Sequence, residues 1–528
     1  MHPVLNQRDI LAQVFGHLAH EVEHFGRFNP NLRNLRATLR SACLVCRSFQ
    51  QPALDALWRV LDSLYPLFVL IPCSQLVDGV LTFARAIRES DLRAYRAYAV
   101  RVRKLSKSSA IGRLYPIHLI AYTRLHHALG GPLLPSLQEL KWRGEDAEPL
   151  LSMLASPMLR HVRLSTPLAE HAASTQLASK LSVLRSWALE CSLHDLACAA
   201  RHLRSLKLSV SSLKGVSLKS IYSFSRLNFI DIEYHDHSEI TPCSSSPVNY
   251  DDLVAFSALG ELTRLLIDVC HTVMPGVAAP LRFPSLREIV ICGPPSRIGT
   301  VLSLLRLTDL ETIRVWLVPR DESSHHYESL FQSFAFPTLL DLAVQMNFES
   351  EGDNPVGMDA RSLLSSLLGC RRLRSLVVHL LESGTPPVRM DDNDILSMAE
   401  AWPALYELCW HCIPDPTVIP AIRTLSAFGA HCPRLKKLAI RADPNIPLPA
   451  PDELPVSRFA LSSLELPDSP EPRDAMETAQ WVHTLFPFVQ EVSGSGQKWS
   501  DIQKFLEVFQ RMRSIHERQF RQLDSAHL

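Results

Sequence analysis

The chain has 528 residues, 46% hydrophobic and 20% charged, and its 54 Lys plus Arg balance its 54 Asp plus Glu. This is a globular composition, long enough for several domains or one long repeat array, and it excludes a disordered chain. The balance leaves no global basic field of the kind that drives binding to nucleic acid or to an anionic membrane.

In chain order, the N-terminus reads MHPVLNQRD, with no cationic segment ahead of an apolar one. No run of about 18 apolar residues follows anywhere, so a cytoplasmic or nuclear location is expected. Residues 5–58 then read as helices. Ile10, Leu11, Val14, Phe15 and Leu18 recur at the spacing that sets apolar side chains on one helical stripe. A second helix is expected to carry Leu39, Ala42, Cys43, Cys46 and Phe49, and a third Ala53, Leu54, Leu57 and Trp58. About fifty residues cannot enclose this much apolar surface, because small folds bury only roughly 60% of their chain's surface. Part of it should face a partner.

On these residues the segment resembles the N-terminal module of fungal, basidiomycete-type F-box proteins. The family's Ile-Leu-x-x-Val/Ile-Phe-x-x-Leu first helix stands at Ile10, Leu11, Val14, Phe15 and Leu18. Its Leu-Val-Cys-Arg-x-Phe second helix stands at Leu44, Val45, Cys46, Arg47 and Phe49, and its Ala-Leu-x-x-Leu-Trp third at Ala53, Leu54, Leu57 and Trp58. There are two departures: Arg8 precedes Asp9 where the family has Pro, and residues 19–34 are expected to insert a polar loop between helices one and two. The resemblance implies that module 1–62 docks a Skp-type adaptor and, through it, a cullin. Its interface is expected at Leu5, Ile10, Val14, Phe15, Leu44, Val45, Leu54, Leu57 and Trp58, because binding energy concentrates in a few large anchors.

Residues 63–97 read as a helical linker broken by Pro66 and Pro72. A rhyme follows. The pattern Leu-x-x-Leu-x-Leu, with Ile, Val or Trp allowed later, starts at Leu137, Leu159, Leu184, Leu203, Leu227, Leu262, Leu286, Leu310, Leu339, Leu373, Leu405, Leu435 and Leu461. A weaker copy at Val489 and an opening strand near residues 100–105 extend it, and the steps average about 27 residues. Segments 149–154, 296–305 and 361–368 between them are helix-like. A unit of strand, loop and helix has one apolar face too small to bury alone, so neighbours must stack. Residues 98–495 therefore resemble irregular leucine-rich repeats of the fungal F-box kind. Only Cys270 and Asn347 fill the Asn/Cys position of regular repeats, and polar inserts at 234–252, 349–359, 382–394 and 443–456 lengthen the steps. The fold class expected is α/β: a small all-α module, then a solenoid with a curved parallel sheet inside and helices outside. Ser500 and Gln503 suggest a capping box opening a last helix, within 496–528, that carries Ile502, Phe505, Leu506, Phe509 and Met512 on one stripe and seals the array.

Three motifs tempt toward chemistry. His20-Glu21-x-x-His24 spells the zincin pattern, but it sits in the expected polar insert, and no Gly and His follow at metzincin spacing; a solvated loop is the plainer reading. Cys409 and Cys412 flank Trp410 and His411 without a second ligand pair, and Cys43 and Cys46 share apolar helical spacing. The 12 cysteines lie mostly inside apolar segments, which suits reduced, buried thiols. Ser493-Gly494-Ser495-Gly496 lacks the context of a phosphate loop and reads as a linker. No cofactor, metal site or enzyme centre is expected.

Two binding functions compete, with a zinc hydrolase through His20, Glu21 and His24 as a remote third. One is a substrate receptor of a Skp-cullin-F-box ubiquitin ligase, as the resemblance implies; the other is a leucine-rich scaffold whose first helices merely cap the repeats. In either, the Leu positions of each strand point inward, so the residues between them line the open face. That row runs Glu139, Lys141, Arg143, His161, Arg163, Ser205 and Lys207, then Phe229, Asp231, Glu233, Arg264, Asp268 and Glu288, then Arg314, Trp316, Asp341, Val377, His379, Glu407 and Lys437. A protein target is expected around Phe229, Arg314 and Trp316, beside the loop 234–252, because strand-borne aromatics on an open face call for a partner.

Overall fold

An apolar residue at every second position of a short run makes a strand with one greasy face, and in this chain that face is covered by the same face of the next repeat. The computed structural model describes residues 8–24, 30–107, 116–143, 147–165, 176–209, 216–232, 248–270, 272–275, 278–318, 323–346, 357–381, 385–446 and 461–526. They fall into two units, Met1–Leu262 and Thr263–Leu528.

The first unit opens with α1 (Arg8–His24), α2 (Pro30–Val45) and α3 (Arg47–Trp58). They close on Leu11, Phe15, Leu39, Ala53 and Ala56, with Leu18, Ala42, Cys43, Phe49 and Leu57 packed around these. The Phe15 and Phe49 rings meet edge to face at 5.6 Å. Two expectations change here. The polar loop 19–34 is largely helix, since α1 runs to His24 and α2 begins at Pro30. The chain also breaks at Cys46, whose extended backbone (φ −164, ψ 166) caps α3, so Phe49 belongs to the third helix and not the second.

The linker is not simply helical, and the sheet starts inside the residues assigned to the module. Strand β1 (Val60–Leu61) pairs with β4 (Lys104–Lys107), and between them lie α4 (Tyr65–Phe68), the antiparallel hairpin β2 (Ser74–Val77) and β3 (Val80–Phe83), and α5 (Leu92–Ala99). Asp78 and Gly79 turn that hairpin at φ 50 and 77, the positive φ pair that a two-residue turn demands. Phe68 anchors the segment against Phe83, Tyr95 and Tyr122.

Four more parallel strands follow: β5 (Glu139–Arg143), β6 (His161–Ser165), β7 (Ser205–Ser209) and β8 (Phe229–Ile232), with α6 (Leu119–Leu129), α7 (Ala147–Leu154), α8 (Gln176–Ala199) and α9 (Tyr250–Ser257) as returns. Leu105, Leu140, Val162, Leu206 and Ile230 stand in one register line, all buried. The pattern at Leu184 is no strand. It lies within α8, where Leu189, Leu193, Leu196 and Ala197 are buried at helical spacing, so the 3.6-residue period outlasts the accidental alternation.

The second unit carries the sheet strands β9 (Arg264–Asp268), β11 (Glu288–Gly293), β13 (Thr312–Leu317), β14 (Asp341–Met346), β16 (Ser375–Leu380), β18 (Glu407–Cys412), β19 (Lys437–Ala439), β20 (Ser463–Leu466) and β21 (Glu491–Gly494). Short parallel ribbons accompany them, β10 (Leu281–Phe283) with β12 (Leu305–Leu307) and β15 (Met358–Asp359) with β17 (Val388–Arg389). The returns include α10 (Pro295–Leu304), α11 (Ser324–Gln332), α12 (Ala360–Leu364), α13 (Asp392–Ala401), α14 (Ser426–His431) and α15 (Ala475–Leu485). Leu265, Ile289, Ile313, Leu342, Leu376, Leu408, Leu438, Leu464 and Val492 form the register line. The fold of both units is thus that of a leucine-rich-repeat solenoid, one parallel strand per repeat with helices on the return side.

The last helix, α16 (Gln497–Ala526), starts three residues before Ser500, so no capping box forms there. Gln503 serves the sheet instead: its Oε1 accepts from Val492 N at 2.8 Å and its Nε2 donates to Gln490 O at 2.9 Å, occupying backbone groups of the edge strand. Trp499, Ile502 and Leu506 are buried beneath the helix, while Met512 is exposed, so the sealing stripe is shorter than expected. Ser493 and Gly494 belong to β21 and not to a linker; a Cβ on Gly494 would meet the Trp499 ring at 2.7 Å.

One ion pair ties α5 to the hairpin. Asp91 accepts from both guanidinium nitrogens of Arg85, at 2.6 and 3.1 Å, and from Arg88 N at 2.9 Å. The Arg85 hydrogen bond, and then the Arg88 backbone bond, hold its carboxyl down from 3.8 to about 2. A depressed carboxyl stabilises the fold above its unfolded value and loses that contribution as pH falls through the folded value. Denaturant midpoints should therefore drop more steeply for the native chain than for Asp91→Asn between about pH 4 and pH 2; parallel curves would mean that the pair contributes nothing.

Candidate protein-binding surfaces

Closure of the helical module around Phe15 decides which of its apolar residues remain outside. Phe15 is buried in the module's own core, and Leu57 packs against that core, so neither is a free anchor. Ile10 and Leu54 are half-buried, and Leu5 lies outside the described residues. Val14 (51% exposed), Leu44 (87%) and Val45 (59%) are left facing solvent, Leu44 and Val45 on the last turn of α2 just before the Cys46 break. Trp58 is half-buried and turns to the repeats: its ring lies 4.6 Å from that of Tyr98 on α5. Beside it Arg101 binds Asp55 and donates to Gln51 at 2.6 Å, and Arg36 pairs with Asp62 at 3.0 Å. The module's third helix is thereby seated on the first turn of the solenoid.

On the open face of the first unit, charge is matched along neighbouring strands. Glu139 binds Lys141 at 2.8 Å and Lys104 at 3.1 Å. Burial pushes the Glu139 carboxyl up, but the two lysines outweigh it and hold it below its ordinary value. Lys207 pairs with Asp231 at 2.6 Å, and Arg143, His161 and Arg163 are exposed on the same face. Phe229, half-buried, sits in register with Ser205; Glu233 and loop 234–247 lie outside the described residues.

The second unit presents three parallel rows. The first is polar: Arg264 and Glu288 pair at 2.9 Å, Thr312 and Asp341 follow, and Glu407 and Lys437 pair at 3.3 Å. The middle row is Leu266, Val290, Arg314, Ala343, Val377, Cys409 and Ala439, apolar except for the exposed Arg314; Leu266, Val290, Ala343 and Val377 are half-buried, and Cys409 and Ala439 are buried. The third is Asp268, Cys292, Trp316, Gln345, His379 and His411, with Trp316 36% exposed. At its end the His379 and His411 rings cross at 4.5 Å with their Nδ1 atoms 3.4 Å apart, and His411 Nε2 lies 3.8 Å from Glu465. Burial, and then His411, push the His379 value down and keep that ring neutral. An apolar strip between a charged row and an aromatic–imidazole row matches the composition of protein-binding faces.

Arg314 and Trp316 thus stand together on β13 in the second unit, and Phe229 stands on β8 in the first. Sequence reasoning passed over Leu266, Val290 and Ala343, although the alternation that exposes Arg314 puts them half-buried on the same face. Apolar residues in strands read as core unless register is applied strictly.

The tempting motifs resolve differently. His20, Glu21 and His24 fall in the last turns of α1 and not in a loop; their side chains lie outside the described residues. Alternation puts Cys409 and Cys412 on opposite sides of β18, and both are buried. Burial pushes the Cys409 thiol up to about 11 and Cys432 up to about 12, so both stay protonated and inert.

No family model and no curated relative matches the chain. Among solved structures, it is similar to the yeast Rad7 and Elc1 complex, at 14% identity and TM-score 0.33, over 78% of this chain and 92% of that one. A Bacteroides fragilis protein solved in structural genomics gives 11%, 0.26, 59% and 67%, and the Drosophila Toll–Spatzle complex gives 11%, 0.30, 80% and 55%. Likenesses this distant carry no functional argument; the fold rests on the register of the strands themselves.

The assignment of faces is testable on one strand. Ile313→Ala, in the fully buried line, should cost about 2–5 kcal/mol in urea unfolding. Trp316→Ala, three residues on, should cost under about 1 kcal/mol. Equal losses would put Trp316 in the core.

Proposed function

We propose that this protein is the substrate receptor of a Skp-cullin-F-box ubiquitin ligase, docking a Skp-type adaptor through the N-terminal helices and a protein target through the open sheet face of the second unit. It works inside the cell, as a binding subunit without an active site of its own. What supports the reading above all is Leu44 and Val45: within an F-box-like motif they stand exposed on a module whose core closes without them. Large apolar side chains held outside on a rigid helix are the raw material of an interface hot spot. Target capture would fall to the strip between Arg314, Trp316 and Val377, where apolar area, a guanidinium and an indole meet.

The scaffold reading draws on a different observation, the Trp58–Tyr98 packing and the Arg101–Asp55 pair that make α3 a cap on the first repeat. The two readings part on Leu44, which a cap does not use. Leu44→Asp with Val45→Asp should weaken co-purification with a Skp-type adaptor by tenfold or more, about 1.4 kcal/mol at least, without moving the melting temperature. Trp58→Ala should do the reverse, lowering thermal stability while adaptor is still captured. Undiminished adaptor binding by the folded Leu44/Val45 variant, or no binding by the native chain, leaves the scaffold.

A further inference from the structure

The geometry points to a zinc site at the carboxyl ends of β9 and β11, with Asp268, Cys270 and Cys292 as ligands. The carboxylate oxygen and the two sulfurs lie within 4.8 Å of one another. Tetrahedral zinc, with bonds near 2.3 Å to sulfur and about 2.0–2.2 Å to oxygen, spaces such ligands about 3.5–3.8 Å apart. Closing the site from the 4.8 Å bound needs the ligand atoms to draw together by about an ångström.

The backbone around the cluster is built tightly. Asp268 and Cys292 are register partners, and Val269 N donates to Cys292 O at 2.8 Å, prolonging the ladder past the strand end. Asp268 Oδ1 accepts from Cys270 N at 2.8 Å, which folds the chain so that the second thiol returns toward the first. Gly293 follows at φ +154, and a Cβ there would meet Val269 Cγ2 at 2.9 Å, so the two strand ends approach as closely as glycine permits.

The donor set selects the metal class. Two thiols with one carboxylate suit zinc, whereas calcium and magnesium take oxygen alone. On binding, each thiol gives its proton to solvent, and two thiolates, a carboxylate and Zn²⁺ sum to one negative charge. The Arg297 guanidinium donates to the carbonyl of Thr272, two residues beyond Cys270. Asp268 and Cys270 are buried, and only Cys292 reaches solvent, on the row that continues to Trp316. Three protein ligands leave a fourth tetrahedral position for water or a further ligand. This inference does not depend on the ligase reading, because metal content is measured without adaptor or target.

The test uses the full chain, purified reduced, stripped with chelator and titrated with Co²⁺, following the thiolate-to-cobalt charge-transfer band, with zinc content measured after dialysis against Zn²⁺. One metal per chain is expected. Cys292→Ser, at the half-exposed ligand, should lose most of the band and weaken cobalt binding roughly tenfold or more while the far-ultraviolet circular dichroism is unchanged. Asp268→Asn should retain the band with weaker binding, and His20→Ala with His24→Ala should change nothing. The site is overturned by substoichiometric metal in the native chain, by a band that survives Cys292→Ser intact, by loss of the metal in the His20/His24 variant, or by recovery of a Cys270–Cys292 disulfide from protein kept reduced.

Discussion

The structure depends on the requirement that each repeat's apolar face be covered by its neighbour's. A strand of five or six residues with two to four buried side chains cannot stand alone; in register, Ile289 covers Leu265 and is covered by Ile313. Fully burying one such side chain contributes on the order of 1.5–3 kcal/mol, so every added repeat gains from the last and depends on the next. The terminal repeat has no next, and α16 supplies what is missing: Trp499, Ile502 and Leu506 cover the greasy face, and Gln503 takes up backbone groups that a further strand would have bonded.

This requirement also explains which parts were legible in the sequence. The strands after Leu137, Leu159 and Leu203 through Leu461 were readable because a stacked face tolerates little besides Leu, Ile and Val, and the same pattern returns with every unit. Leu184 failed because three apolar residues at strand spacing also fit a helix face, and only Leu193, Leu196 and Ala197 beyond them reveal the longer period. The hairpin at residues 74–83 was missed although Asp78-Gly79 announces it, since a turn signal is short and the prolines nearby were read as helix breaks. The helical extent of α1 and α2 was missed because a polar stretch looks, by composition alone, like a loop.

Sites were harder to read than folds, for a physical reason. Periodicity says that Val14 and Phe15 belong to an apolar stripe, but which one the module keeps and which it leaves outside depends on how α1 meets α3 in three dimensions. Phe15 goes inward to meet Phe49, and the neighbouring Val14 stays exposed. Trp58 likewise carries the resemblance to F-box modules, yet its ring is engaged by Tyr98, a contact between segments forty residues apart that no local pattern encodes.

The open face follows from the same ladder. Because parallel strands in register align equivalent positions, the residues left over by stacking are sorted into straight rows, and like chemistry accumulates along each. In the second unit the row between the two buried lines is mostly Leu, Val and Ala, side chains that stacking does not require. Val290, Ala343 and Val377 are half-buried there, an apolar strip that differs from the charge-matched row beside it, Arg264 with Glu288 and Glu407 with Lys437, which is what an ordinary wet surface looks like.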